Sequence, residues 1–101
     1  MNTSLTTADG QTVENPTQDD LARALDALLE SEDESADLWL EDDAGWALSV
    51  VPTGDVFFEN LEEEGYQTLG PLSRDYILRL LHLLSTGKID ELRAEPWEEG
   101  E

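Results

Sequence analysis

Between Leu38 and Leu69 the chain never runs long enough to make a helix before a turn interrupts it. Asp42-Asp43-Ala44-Gly45, Pro52-Thr53-Gly54-Asp55 and Glu62-Glu63-Glu64-Gly65 are turn-forming tetrapeptides that begin ten residues apart. The segments they separate, Leu38–Glu41, Trp46–Val51 and Val56–Asn60, are short and rich in strand formers. Tyr66–Leu69 is a fourth candidate. Short strands joined by tight turns pair with their sequence neighbours, so this region reads as an antiparallel meander.

Two helical segments flank it. Pro16-Thr17 sets up an N-cap, and Asp19 and Asp20 follow in the first turn, where carboxylates suit the helix dipole. Leu21, Ala24, Leu25 and Leu28 then recur at helical spacing, which predicts a helix from Gln18 to Leu29. After Gly70-Pro71-Leu72, Ser73 caps a second helix whose apolar stripe is Tyr76, Ile77, Leu80, Leu81 and Leu84, with Gly87 at its C-terminal end. Ile89–Leu92 supplies one further turn. Residues 1–16 carry an Asp9-Gly10 turn signal between two short β-prone stretches. They read as an edge hairpin or a flexible arm, and residues 98–101 as an acidic tail. The expected architecture is a single α+β domain over residues 1–101. Its core is an antiparallel β-meander of three to five strands with two helices packed on one face.

Strand side chains alternate between faces. Leu38, Leu40, Leu48, Val50 and Phe58 fall on one face, which should receive the helices. Trp39, Glu41, Ser49, Phe57 and Glu59 fall on the other, which is then an open surface of aromatics and carboxylates.

That surface belongs to a very acidic chain. Its 101 residues hold 25 Asp and Glu against five Lys and Arg, a formal net charge of -20. Adequate colloidal stability needs a net charge of only about 2–8, and the excess weakens the compact state through self-repulsion. A basic partner or a high-salt habitat makes such a charge tolerable; the four Arg and single Lys suit the second reading too. Nucleic acid and anionic membranes should both repel this chain. Cysteine is absent, which excludes disulfides, zinc–thiolate sites and thiol nucleophiles and fits a reducing cytoplasm. Met1–Gly10 has no signal-peptide pattern and no stretch has the roughly 18 apolar residues of a membrane span.

No catalytic or cofactor motif emerges. Neither Asp33–Gly45 nor Asp55–Gly65 fits a calcium loop, and Gly45, Gly54, Gly65 and Gly70 are isolated turn glycines rather than a phosphate cradle. His82, the only histidine, lies inside the second helix with no nucleophile motif near it and reads as a surface residue. The chain reads as a non-enzyme with no cofactor and no metal ligands.

The order of elements, a Thr-rich β start, an Asp- and Leu-rich helix, a Trp-containing meander and a last helix ending in Thr86-Gly87-Lys88 before Leu92 and Pro96-Trp97, resembles the Imm-type immunity proteins of bacterial polymorphic toxin systems. It is most similar to the α+β group often encoded beside nucleic-acid deaminase toxins, in which a last helix, a Gly and then a C-terminal Trp recur. Gly87 and Trp97 match that feature, and the likeness runs from about Leu5 to Trp97. The resemblance implies a cytoplasmic immunity protein that binds a cognate basic toxin one-to-one and occludes its nucleic-acid-binding active site. On this reading Trp39 and Phe57 are the anchors, and Glu41, Asp42, Asp43, Glu59, Glu62, Glu63 and Glu64 face the toxin's Lys and Arg. The alternative is a nucleic-acid mimic that inhibits a nuclease, a repressor or a CRISPR effector, with carboxylates spaced like phosphates, about 7 Å apart. A metal-dependent protein is a third class, in which millimolar calcium or magnesium would shift thermal stability.

Overall fold

Both long helices begin and end where the sequence places their caps. A computed structural model describes residues 2–33, 35–63 and 65–99. In it α1 spans Gln18–Leu29. The Thr17 hydroxyl accepts the Asp20 N–H at 3.2 Å and the Asp20 carboxylate accepts the Thr17 N–H at 2.9 Å. Asp20 thus completes a reciprocal capping box beyond its favourable place on the dipole. Helix α2 spans Arg74–Ser85, with the Ser73 hydroxyl accepting the Tyr76 N–H at 3.3 Å. Its end is a Schellman turn: Lys88 N–H donates to the Leu83 carbonyl and Gly87 N–H to that of Leu84. Gly87 sits at φ +78°, a conformation that favours glycine. A short α3, Ile89–Arg93, follows.

Among the described residues the sheet has seven strands, more than the three to five expected: β1 (Thr3–Thr6), β2 (Thr12–Glu14), β3 (Leu38–Asp42), β4 (Trp46–Val50), β5 (Val56–Asn60), β6 (Gln67–Leu69) and β7 (Glu98–Glu99). Their order is β2-β1-β3-β4-β5-β6-β7, antiparallel throughout. The additions come from the chain ends. Leu5, fully buried, anchors β1 beside β3 and brings the β2 hairpin with it. Glu98 and Glu99 of the expected tail pair with Thr68 and Gln67; the rest of that tail lies outside the described residues. The helices among the described residues number three rather than two.

The register sets Leu38 opposite Val50, Leu40 opposite Leu48, and Leu48 opposite Phe58. These five side chains are buried with Leu21, Leu25 and Leu28 of α1, Ile77, Leu80, Leu81 and Leu84 of α2, and Leu92 of α3 in one core cluster. All three helices therefore bury their apolar faces on the same side of the sheet. Phe58 lies between two indoles there. Trp46 stacks on it at 5.2 Å between centroids and Trp97 at 5.0 Å. The Trp97 indole N–H donates to the Leu92 carbonyl at 2.8 Å.

Polar contacts knit the helical layer. The Arg74 guanidinium takes both oxygens of Asp26, joining α2 to α1 at 2.5 and 3.2 Å. Beyond α3, the Glu95 carboxylate accepts from the Tyr76 hydroxyl and from Arg79, the latter at 2.8 Å. The Tyr76 hydrogen bond, reinforced by Arg79, holds the Glu95 carboxyl below its ordinary 4.5. The same bond raises the Tyr76 hydroxyl above its ordinary 10.0. A depressed carboxyl stabilises the fold above its unfolded-state pKa and loses that contribution as pH falls through the folded value. The raised phenol contributes below pH 10 and loses its share above. Glu95→Gln should therefore cost about 1 kcal/mol at neutral pH. Urea titrations of the two proteins should converge below about pH 4, the glutamate range; a gap that persists undiminished there would assign the effect to packing.

Candidate partner-binding face

Alternation along the strands leaves the odd-numbered residues of the central meander on the side away from the helices. Across the sheet, cross-strand pairing lines up Thr12, Thr6, Trp39, Ser49, Phe57 and Thr68 in one row. The neighbouring row is Glu14, Ser4, Glu41, Ala47 and Glu59. Trp39, Glu41, Phe57 and Glu59 are half-buried. At strand spacings of about 4.8 Å, Trp39 and Phe57 flank Ser49 roughly 10 Å apart, and Glu14, Glu41 and Glu59 recur at the same interval. Phe57 meets Tyr66 edge-on, with centroids 5.8 Å apart.

The turns extend this face at one end. The Leu61 N–H donates to the Gly45 carbonyl at 2.7 Å, which ties the β5–β6 turn to the β3–β4 turn. Asn60 Oδ1 accepts the Glu62 N–H at 2.9 Å and shapes the former. Asp43, Glu62 and Glu63 are exposed there, beyond the ends of the strands that carry Glu41 and Glu59. Of the residues singled out from sequence, the fold thus gathers Trp39, Glu41, Asp43, Phe57, Glu59, Glu62 and Glu63 on one face and its rim. Glu64 lies outside the described residues.

Asp42 does not belong with them. It falls in register with Thr3 on the helix side and is only 6% exposed. Its Oδ1 accepts the N–H groups of Ala44 and Trp46, both at 2.9 Å, so its carboxylate builds the β3–β4 turn. The strand runs one residue beyond Glu41, and that extra residue takes the inward side.

Charge divides between the layers. The seven strands hold six carboxylates and no Lys or Arg. All five basic residues lie in or just after the helices: Arg23, Arg74, Arg79, Lys88 and Arg93. Three of the arginines are paired locally, Arg23 with Asp20, Arg74 with Asp26 and Asp75, and Arg79 with Glu95. Their charge is spent on neighbouring acids of the helical side, and the open face keeps an unopposed negative field.

Sequence reasoning missed four features. Leu61, 49% exposed, is the large apolar side chain most open to solvent among the described residues, and its signal was a lone Leu inside an acidic turn. Tyr66 joins the face through Phe57. A cleft of about 410 Å³ opens at the edge of the sheet between the β5–β6 turn and α3, with Trp46, Tyr66, Glu59, Glu63, Arg93 and Glu99 among its lining. A second groove, about 560 Å³, runs between the β1–β2 hairpin and α1 over Leu5, Val13, Ala24 and Ala27. Among the described residues no group of three or more His, Asp and Glu is placed to hold a metal ion. His82 is exposed, with Nδ1 2.8 Å from Gln18 Oε1, and bridges the two long helices.

Phe57 and Phe58 are sequence neighbours on opposite faces, and they should respond very differently to truncation. Phe58→Ala removes the centre of the indole stack and should cost about 3–5 kcal/mol. Phe57→Ser leaves the core intact and should cost below about 1.5 kcal/mol. Chemical denaturation of both variants measures the difference, and equal costs would mean that the open face is a second core.

Comparison of the chain with protein-family models, curated proteins and solved structures finds no match.

Proposed function

We propose that this protein is an immunity-type inhibitor. It binds a basic, nucleic-acid-acting toxin one-to-one through the open sheet face and covers the groove in which the toxin would hold phosphates. The observation that carries this reading is the division of charge. Every basic residue sits in or after the helices, and the face opposite them combines Trp39 and Phe57 with Glu14, Glu41 and Glu59.

Each half of that combination does a separate job. Opposite fields speed association by about 10–10³ and align the partners. Affinity then comes from desolvated anchors, which are most often aromatic. Two rings set among carboxylates, with Ser49 between them, supply both. The face measures roughly 30 by 17 Å from strand spacing and rise. A stable interface takes about 800 Å² from each partner, so the toxin must also engage the rim at Asp43, Glu62 and Glu63. The carboxylate interval of roughly 10 Å along the glutamate row exceeds the ~7 Å of a phosphate mimic. That favours a partner recognised as a folded protein surface over general imitation of DNA.

Co-expression with the toxin domain encoded beside this gene tests the reading. The wild-type chain should restore growth. The double reversal Glu41→Lys with Glu59→Lys should slow association at least about tenfold and flatten its salt dependence. A neighbouring gene without a toxin domain, together with no rescue on co-expression, would refute the proposal. Equal binding to several unrelated DNA-binding proteins would shift it to the mimic.

A further inference from the structure

The edge cleft is a different kind of surface from the open face. It has depth, about 410 Å³, and an aromatic wall. Trp46 and Phe58 form part of that wall as a stacked pair, and Tyr66 stands at the edge shared with the open face. Three carboxylates, Glu59, Glu63 and Glu99, also line it.

One guanidinium is already there. The Arg93 guanidinium carbon lies 5.5 Å from the centroid of the Trp46 ring, within the range of a cation–π contact. Unlike Arg23, Arg74 and Arg79, Arg93 makes no ion pair among the described residues, although three carboxylates line the same cleft. The contact displays how this wall takes a planar cation. It also leaves the lining with a net negative charge, since one positive group stands against three negative ones.

We infer that this cleft receives an arginine side chain from the basic partner, an inference that rests on the proposed function and names the contact that would fix the register of the complex. The cleft wall lies on the helix side of the sheet, but Tyr66 lines the cleft and also meets Phe57 of the open face, so a partner that extends over the rim at Glu63 and Tyr66 reaches its mouth. Phe58 covers one face of the Trp46 indole and Arg93 the other, so a guanidinium entering there takes the place of Arg93 on the ring while it donates to the carboxylates, two interactions its flat, forked geometry makes together. A lysine ammonium, more strongly hydrated and without a flat face, matches this wall less well. Arg93 opposes the incoming charge and covers one indole face, so it limits the affinity of the site.

The test needs only the isolated, full-length protein and a small probe. N-acetyl-arginine methylamide is titrated while the three indole N–H resonances are followed by NMR. The Trp46 signal should shift saturably in the millimolar range, with the Trp39 signal nearly still. The lysine analogue should bind several-fold more weakly, and the glutamine analogue should leave Trp46 unmoved. Glu63→Gln and Glu99→Gln should each weaken arginine binding several-fold, whereas Glu30→Gln, on the loop after α1, should not. Arg93→Gln should tighten it several-fold, an outcome that loss of a merely structural contact would not produce. No saturable shift at Trp46, equal responses to all three probes, or weaker binding in Arg93→Gln would overturn the inference. The growth-rescue experiment is scored separately, on the wild-type chain and on Glu41→Lys, a position that does not line the cleft, so failure of the cleft leaves the proposed function standing.

Discussion

Much of one end of this molecule hangs on Phe58. Its ring sits between Trp46 on the adjacent strand and Trp97 from the far end of the chain, and those stacks close the core where α2 no longer covers the sheet. Trp97 in turn holds the segment that leads from α3 to β7, because its indole donates back to Leu92. The last strand, the cleft wall beside Arg93 and the edge next to Tyr66 all follow from that arrangement. Dispersion and burial act here without help from charge, which matters in a chain whose like charges oppose compaction.

Electrostatics then shapes what the core leaves outside. A net charge of -20 cannot be neutralised by five basic residues, so the question is where those five go. They go to the helical side, where three of the four arginines meet carboxylates: Asp20 one turn away, Asp26 across the helix interface, and Glu95 beyond α3. Exposed pairs of this kind are worth little individually. Their larger consequence is spatial. By keeping cations off the strands, they leave the open face with a field of one sign, and salt should stabilise the fold by screening it.

The parts of the fold legible in sequence are those set by local rules. Thr17, Ser73 and Gly87 bound α1 and α2 through capping chemistry that involves only neighbouring residues. The turns at Asp42, Pro52 and Glu62 fix the meander, and with it the parity that sends Leu40 inward and Trp39 outward. Asp42 obeys the same parity, and its inward place follows once β3 runs one residue beyond Glu41. What could not be read depends on contacts distant in the chain. β1 is held by the burial of Leu5 against elements far along the sequence. The two-residue β7 exists because Trp97 stacks on Phe58, and no propensity of Glu98-Glu99 announces a strand. The cleft joins residues from Trp46 to Glu99, so its lining becomes visible only when β4, β5, β6 and α3 meet.

These two layers of information bear differently on function. Parity alone places Trp39, Phe57, Glu41 and Glu59 together, so the proposed docking face follows from strand alternation. A face of that kind is permissive: any complementary basic surface experiences the same steering field. Selectivity needs a feature that accepts one side chain in one place, and the cleft that long-range packing builds at the rim of the sheet is the proposed one. Arg93 on Trp46 is the point where the two meet. It is a cation of the helical layer set against the acidic edge, and it holds the position that a partner's guanidinium would have to share. On the proposed reading, a chain this acidic gains rate from its overall charge and discrimination from a rim where Arg93 opposes that charge beside an aromatic wall.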